Sequence, residues 1–243
     1  MPYLKPCFPS IRDLLAGTPT AHEWVVDFAR AHRYHIHTQI LRVGRIHGRI
    51  YTVIEVRAVL YSDFNCPFCY AMHERLHEMN LIARCEWRGV QHASHLPRPM
   101  KPWQGSLGAE LRHEVTVVQR LAPGLPIALP PGKPNTKPAI EQAVALLRRD
   151  RSQGMAFVCE TYRAFWCEGK DISDPGVLRQ LVEQTGGSPE STGTINDESR
   201  QVAQEWEAAW HRTGQAGVPL MVSPEGGILV GCAPIEQIRQ FFA

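Results

Sequence analysis

Tyr61-Ser62-Asp63-Phe64-Asn65-Cys66-Pro67-Phe68-Cys69-Tyr70 is the stretch on which the fold turns. Just before it, Ala58-Val59-Leu60-Tyr61 closes a strand-like run that begins at Ile50, and Ser62–Asn65 supply turn chemistry ahead of the first cysteine. Helical spacing then carries past Leu76 and Met79, and a second strand pattern follows over Ile82–Val90. The result is a strand–helix–strand unit with a C-x-x-C pair at the corner where strand passes into helix. Pro67 falls near the first helical position, where its missing N–H costs nothing.

That corner has chemical meaning. A cysteine at a helix N-terminus faces unpaired backbone N–H groups and the positive end of the helix dipole, and both favour the thiolate. Cys66 therefore reads as an attacking thiol, and Cys69, one turn on, as the buried partner that resolves a mixed disulfide. A bare C-x-x-C is also half of a zinc site, but the chain has no second one. Cys159 and Cys167 would lie about 12 Å apart along one continuous helix, too far for a ligand pair or a bridge. A rival arrangement is Cys69, His73 and His77, whose i, i+4, i+8 spacing shares a helix face and could chelate zinc or copper. Histidines on the solvated face of an amphipathic helix are the commoner reading. Asp63, three residues before Cys66, is a candidate helix cap or proton acceptor.

Working outward, Leu107 to about Gly186 is helical: Leu111, Val115 and Val118 recur at helical spacing, as do Ile140, Val144 and Leu147. Six prolines in Ala122–Pro138 rule out a regular helix there and predict an extended surface loop. Asp174-Pro175 is a helix start, Ser188–Asn196 a polar connector, and Val202, Trp206 and Ala209 mark a further helix. Leu220–Val222 and Ile228–Val230 read as a hairpin, and Pro234–Phe242 as a closing helix. In Gly217-Val218-Pro219-Leu220-Met221-Val222 a proline heads a strand; a cis Val218–Pro219 bond would suit it and present the Val218 backbone to the thiols. Ahead of the corner, Thr20 with Glu23 fits a capping box. A strand over Tyr34–Val43 follows, with His35 and His37 as exposed edge residues, and then a turn from Gly44 to Gly48.

Composition narrows the class. The 243 residues are 44% hydrophobic and 21% charged, which supports a globular core. A net charge of +2 without a basic stripe gives no footprint for nucleic acid. No run approaches the ~18 apolar residues of a membrane span, and the first residues lack the plan of a signal peptide. Seven cysteines, an odd number, argue against a disulfide framework and for a reducing, cytoplasmic setting. Cys7, Cys85, Cys159, Cys167 and Cys232 read as small buried or incidental residues, and Trp166, Trp206 and Trp210 as core.

The segments Tyr61–Tyr70 and Gly217–Val222, separated by a helical insertion, resemble the DsbA-like branch of the thioredoxin superfamily, especially its FrnE-like and 2-hydroxychromene-2-carboxylate isomerase-like group. Pro134-Asn135-Thr136, Ala164–Pro175 and Gly226–Ile238 are also similar to that group, so the resemblance covers roughly 56–242. It implies an α/β, thioredoxin-like fold with an α-helical insertion and a small N-terminal αβ extension. The corresponding parts are an extension over 1–55, a first half over 56–106, an insertion over 107–190 and a second half over 191–243. It further implies a cis Pro219 loop beside Cys66, with Val218 docking the substrate backbone. Pro67-Phe68 differs from the dipeptides usual in that group and helps to set the potential. Asn135 is a contact for glutathione or substrate by the resemblance, while turn chemistry is the commoner role of Asn in a proline-rich loop. Isomerase and kappa-class relatives usually carry serine where Cys66 stands and lack the second cysteine; this chain keeps both, which favours disulfide exchange. The expected function is thus a thiol–disulfide oxidoreductase acting on thiol or disulfide substrates. It needs no organic cofactor, and glutathione is a recycling partner or co-substrate. A glutathione-dependent isomerase or transferase, and a metal module using Cys69, His73 and His77, are the alternatives.

Overall fold

The computed structural model describes the backbone of residues 39–46 and 49–56, and residues 57–103, 105–186 and 195–243 in full. The chain divides into two compact units, 1–56 and 57–243. In the first, β1 (Gln39–Ile46) pairs antiparallel with β2 (Arg49–Val56), from Gln39 opposite Val56 to Ile46 opposite Arg49. Gly44 lies inside this ladder opposite Tyr51, so it is part of the strand and not the start of the expected turn. The Thr20–Glu23 box, His35, His37 and the strand residues before Gln39 lie outside the described residues.

The single run expected from Ile50 to Tyr61 is divided at Arg57. Its first part belongs to the β1–β2 hairpin, and its second is β3 (Ala58–Ser62) of a separate four-stranded sheet. All five β3 residues are buried, because both faces of the strand are covered. Ala58 and Leu60 join the main core, while Val59 and Tyr61 pack on the other face with Trp210, Leu220 and Val90.

From β3 the chain enters α1 (Pro67–Glu78), which ends on Met79 and on Asn80 in the left-handed region at φ 56°. Ile82–Arg84 form one 3-10 turn instead of the expected start of a strand, since pairing with β3 begins only at Cys85 opposite Ala58. β4 (Cys85–Gly89) then runs parallel to β3. The insertion supplies α2 (Leu107–Leu121), α3 (Lys137–Arg149), α4 (Arg151–Trp166) and α5 (Pro175–Gln184). After α6 (Asp197–Arg212) come β5 (Leu220–Val222), β6 (Ile228–Val230) and α7 (Ile235–Phe241). The sheet order is β4-β3-β5-β6, with β5 antiparallel to both neighbours.

Local chemistry sets the helix ends. Asp174 accepts from the N–H groups of Gly176 and Val177, with Pro175 in the first turn. Asp150 alone separates α3 from α4, ending one and capping the other through Ser152 and Gln153. The proline-rich stretch is not a free surface loop. Its Ala128 N–H donates to the Trp166 carbonyl at 2.8 Å, and the Trp103 indole donates to the Pro130 carbonyl at 2.6 Å. Pro134, Asn135 and Thr136 are buried. Prolines cannot form a ladder, so side chains and carbonyls anchor the segment.

Gly154 marks where α4 crosses α3. A Cβ there would lie 2.6 Å from the Leu147 backbone, which cannot move aside as a side chain could. Glycine to alanine inside a helix usually stabilises by up to ~1 kcal/mol. Here the sign reverses: Gly154→Ala is expected to destabilise by roughly 1–3 kcal/mol, read from the urea midpoint.

Candidate active site

Cys66 is the N-cap residue of α1, in extended backbone (φ −102°, ψ 118°), with Pro67 as the first helical residue. Its carbonyl receives the N–H groups of Cys69 and Tyr70 at 3.1 and 3.2 Å, so the first turn closes directly on it. Across the site the Val218–Pro219 bond is cis, and the Cys66 thiol donates to the Val218 carbonyl at 3.5 Å. The structure thus brings Cys66, Cys69, Pro67, Val218 and Pro219 together. Phe68 lies half-buried against the core beside them.

The two sulfurs have opposite acidities. Hydrogen bonding from the Cys69 thiol pulls Cys66 below the ordinary thiol range, against the opposing effect of burial. His92 charge, the Cys69 backbone N–H and Lys133 charge add to the pull. Cys69 is held well above that range, first by complete burial and then by its thiolate neighbour. At Cys69 the Asp63 N–H donates to the sulfur at 3.4 Å. Of the two, Cys66 is therefore the more acidic thiol and Cys69 the one that holds its proton.

Asp63 does not cap α1, which has no side-chain cap. Its carboxylate instead faces β4: Oδ2 accepts from the His92 backbone N–H at 3.0 Å and pairs with His92 Nδ1 at 2.7 Å. Desolvation lowers the His92 pKa, but the Asp63 hydrogen bond and charge outweigh it, so His92 stays protonated to higher pH than a free histidine. The imidazolium is then a cation placed where it favours the Cys66 thiolate.

His92 and Lys133 escaped the sequence reading. Ser62 pairs with Gly89 in a parallel register, so the residues that follow each strand meet at the same end of the sheet. That rule points to the segment after Gly89 as the neighbour of the corner. Lys133 arrives from the proline-rich loop, held there by the Asn65 side chain, which donates to the Pro134 carbonyl at 2.9 Å. The Asn135 amide is engaged within the protein. Its oxygen accepts from Gln91, Arg98 and the Lys137 N–H, and its nitrogen donates to the carbonyls of Ser94 and Leu96.

The Cys69–His73–His77 grouping does not form. Each i+4 step turns a helix by about 40°, so Cys69 and His77 diverge by about 80°. Cys69 faces the corner, while both histidines face Cys159 of α4. The insertion also buttresses the corner. Tyr162 of α4 shares a 2.6 Å hydrogen bond with Ser62, and the Trp166 indole donates to the Phe64 carbonyl at 2.9 Å.

The family model of the DSBA-like thioredoxin domain matches residues 58–243. The chain belongs to that family. The DSBA-like unit also resembles solved structures. One is a candidate protein disulfide isomerase from Nitrosomonas europaea: 20% identity, TM-score 0.63, over 76% of this chain and 96% of that one. A second is 2-hydroxychromene-2-carboxylate isomerase: 19% identity, TM-score 0.61, over 77% of this chain and 94% of that one. A third is the cytosolic disulfide reductase DsbM from Pseudomonas aeruginosa, solved with GSH: 19% identity, TM-score 0.59, over 77% and 97%. Likeness at these identities establishes the fold. A search of curated protein sequences finds no match. Among the described residues, no helix is long and apolar enough to cross a membrane.

The His92 cation can be tested without touching either thiol. In His92→Gln the pH midpoint for Cys66 alkylation by iodoacetamide should rise by about half to one pH unit. An unmoved midpoint would remove His92 from the account.

Proposed function

We propose that this DSBA-like chain is a thiol–disulfide oxidoreductase with Cys66 and Cys69 as its exchanging pair. One observation carries the reading: Cys66 is the N-cap residue of α1 beside the cis Val218–Pro219 bond, with Cys69 buried one turn on. Cys66 is shifted toward the acidic side, and Cys69 is held protonated first by its burial. That division suits the two steps of exchange. The Cys66 thiolate attacks one sulfur of a substrate disulfide, forms a mixed disulfide and expels the other sulfur as a thiolate. Cys69 then gives up its proton, attacks the Cys66 sulfur and expels the second substrate thiolate. The pair ends oxidised by two electrons and the substrate reduced by two; the reverse sequence oxidises a dithiol.

Val218 and Pro219 are the proposed docking loop, because the Val218 carbonyl already faces the reactive sulfur. An extended substrate backbone laid there would bring its sulfur to Cys66. Asp63 acts through His92, which it keeps charged, and so is a positioning residue. Pro67 and Phe68 shape the turn between the sulfurs. Stabilising the Cys66 thiolate stabilises the reduced pair, and so shifts the couple toward the oxidising side. Glutathione is the proposed recycling partner in a reducing cytoplasm. The reading draws support from DsbM, a cytosolic reductase of similar fold solved with GSH.

Serine at each position separates exchange from glutathione-dependent isomerisation, which has no use for Cys69. Cys69→Ser should accumulate a stable Cys66 mixed disulfide with oxidised glutathione, seen by mass, while turnover of a model disulfide falls to background. Cys66→Ser should give neither adduct nor turnover. Full turnover by Cys69→Ser would overturn the proposal.

A further inference from the structure

We propose that His73, His77 and Cys159 form a zinc site that fastens α1 to α4, separate from the Cys66–Cys69 pair. His73 Nε2 and His77 Nε2 each lie 3.3 Å from Cys159 Sγ, and the three donor atoms lie within 4.8 Å of one another. Neighbouring ligands on a tetrahedral zinc, with bonds of about 2.0 Å to nitrogen and 2.3 Å to sulfur, sit roughly 3.3–3.6 Å apart. Both sulfur–nitrogen pairs already meet that spacing. A modest swing of the partly exposed His77 closes the rest.

The donor set fits a borderline-soft cation: two imidazoles and one sulfur are common zinc ligands, and a fourth position remains for water. His77 and Cys159 are only partly buried, which gives an ion a way in. The surroundings favour positive charge, since the carboxylates of Glu74 and Glu160 act on Cys159. His73 is fully buried, yet its Nδ1 has no hydrogen-bond partner, so its polar anchoring comes from the sulfur contact alone.

Zinc binding replaces the S–H bond of Cys159 with a Zn–S bond and releases the proton to solvent, with no change in oxidation state. The bond would also keep Cys159 out of thiol exchange with the pair on the same helix α1.

The test uses the full chain without an affinity tag, reduced, stripped by chelator and titrated with cobalt(II). The expected result is one equivalent bound, with a near-ultraviolet thiolate-to-cobalt charge-transfer band that zinc abolishes. Cys159→Ser should lose the band, and His77→Ala should weaken binding at least ~10–100-fold, the loss seen even for outer-shell partners. Cys66→Ser should keep both, which separates this site from the exchange reading. In the native chain, zinc should shield Cys159 from alkylation, a readout that needs no variant to fold. The proposal is overturned if there is no cobalt band, if the band is unchanged in Cys159→Ser, or if Cys159 alkylates equally with and without zinc.

Discussion

An acidic thiol at Cys66, in a place with little water, is what the rest of the molecule has to accommodate. Cys66 is 6% exposed, and burial alone would push its thiol toward the neutral form. The favourable contributions come from separate segments of the chain: Cys69 one turn along α1, His92 after β4 and Lys133 in the proline-rich loop. None is a neighbour of Cys66 in sequence except Cys69. The fold is the device that gathers them.

Each part of the DSBA-like unit has a place in that task. β3 delivers the chain to the corner with both faces buried, so its end is fixed. β4, parallel and in register, delivers His92 to the same end, and Asp63 holds it there from the turn. β5, on the other side of β3, brings the Val218 carbonyl to the sulfur. The helical insertion braces the turn from behind through Tyr162 and Trp166, while its proline-rich loop between α2 and α3 carries Lys133. If α1 is also pinned to α4 by a metal, the helix that carries both thiols is fixed at its head and at its middle.

Much of this was legible in the sequence because it is local. The C-x-x-C at a strand–helix corner, Asp174-Pro175, the hairpin over Leu220–Val230 and Pro219 at a strand head each depend on a few neighbouring residues. What escaped depends on distance along the chain. Asp63 reads as a cap because caps are local, but its partner is 29 residues away. Cys69, His73 and His77 read as one face because an i, i+4, i+8 series looks aligned over two turns. The drift of the helix hands the histidines to Cys159, which is 86 residues beyond His73. The strand from Ile50 reads as continuous because apolar patterning says nothing about which sheet each half joins.

The most direct check on the central claim is the Cys66–Cys69 redox equilibrium in glutathione buffers, resolved by peptide mass after alkylation. The account predicts one reversible two-electron transition, a bridge mapped to Cys66 and Cys69, and Cys66 as the first thiol to react in the reduced form. A pair that never bridges, or a Cys69 that alkylates ahead of Cys66, would contradict it.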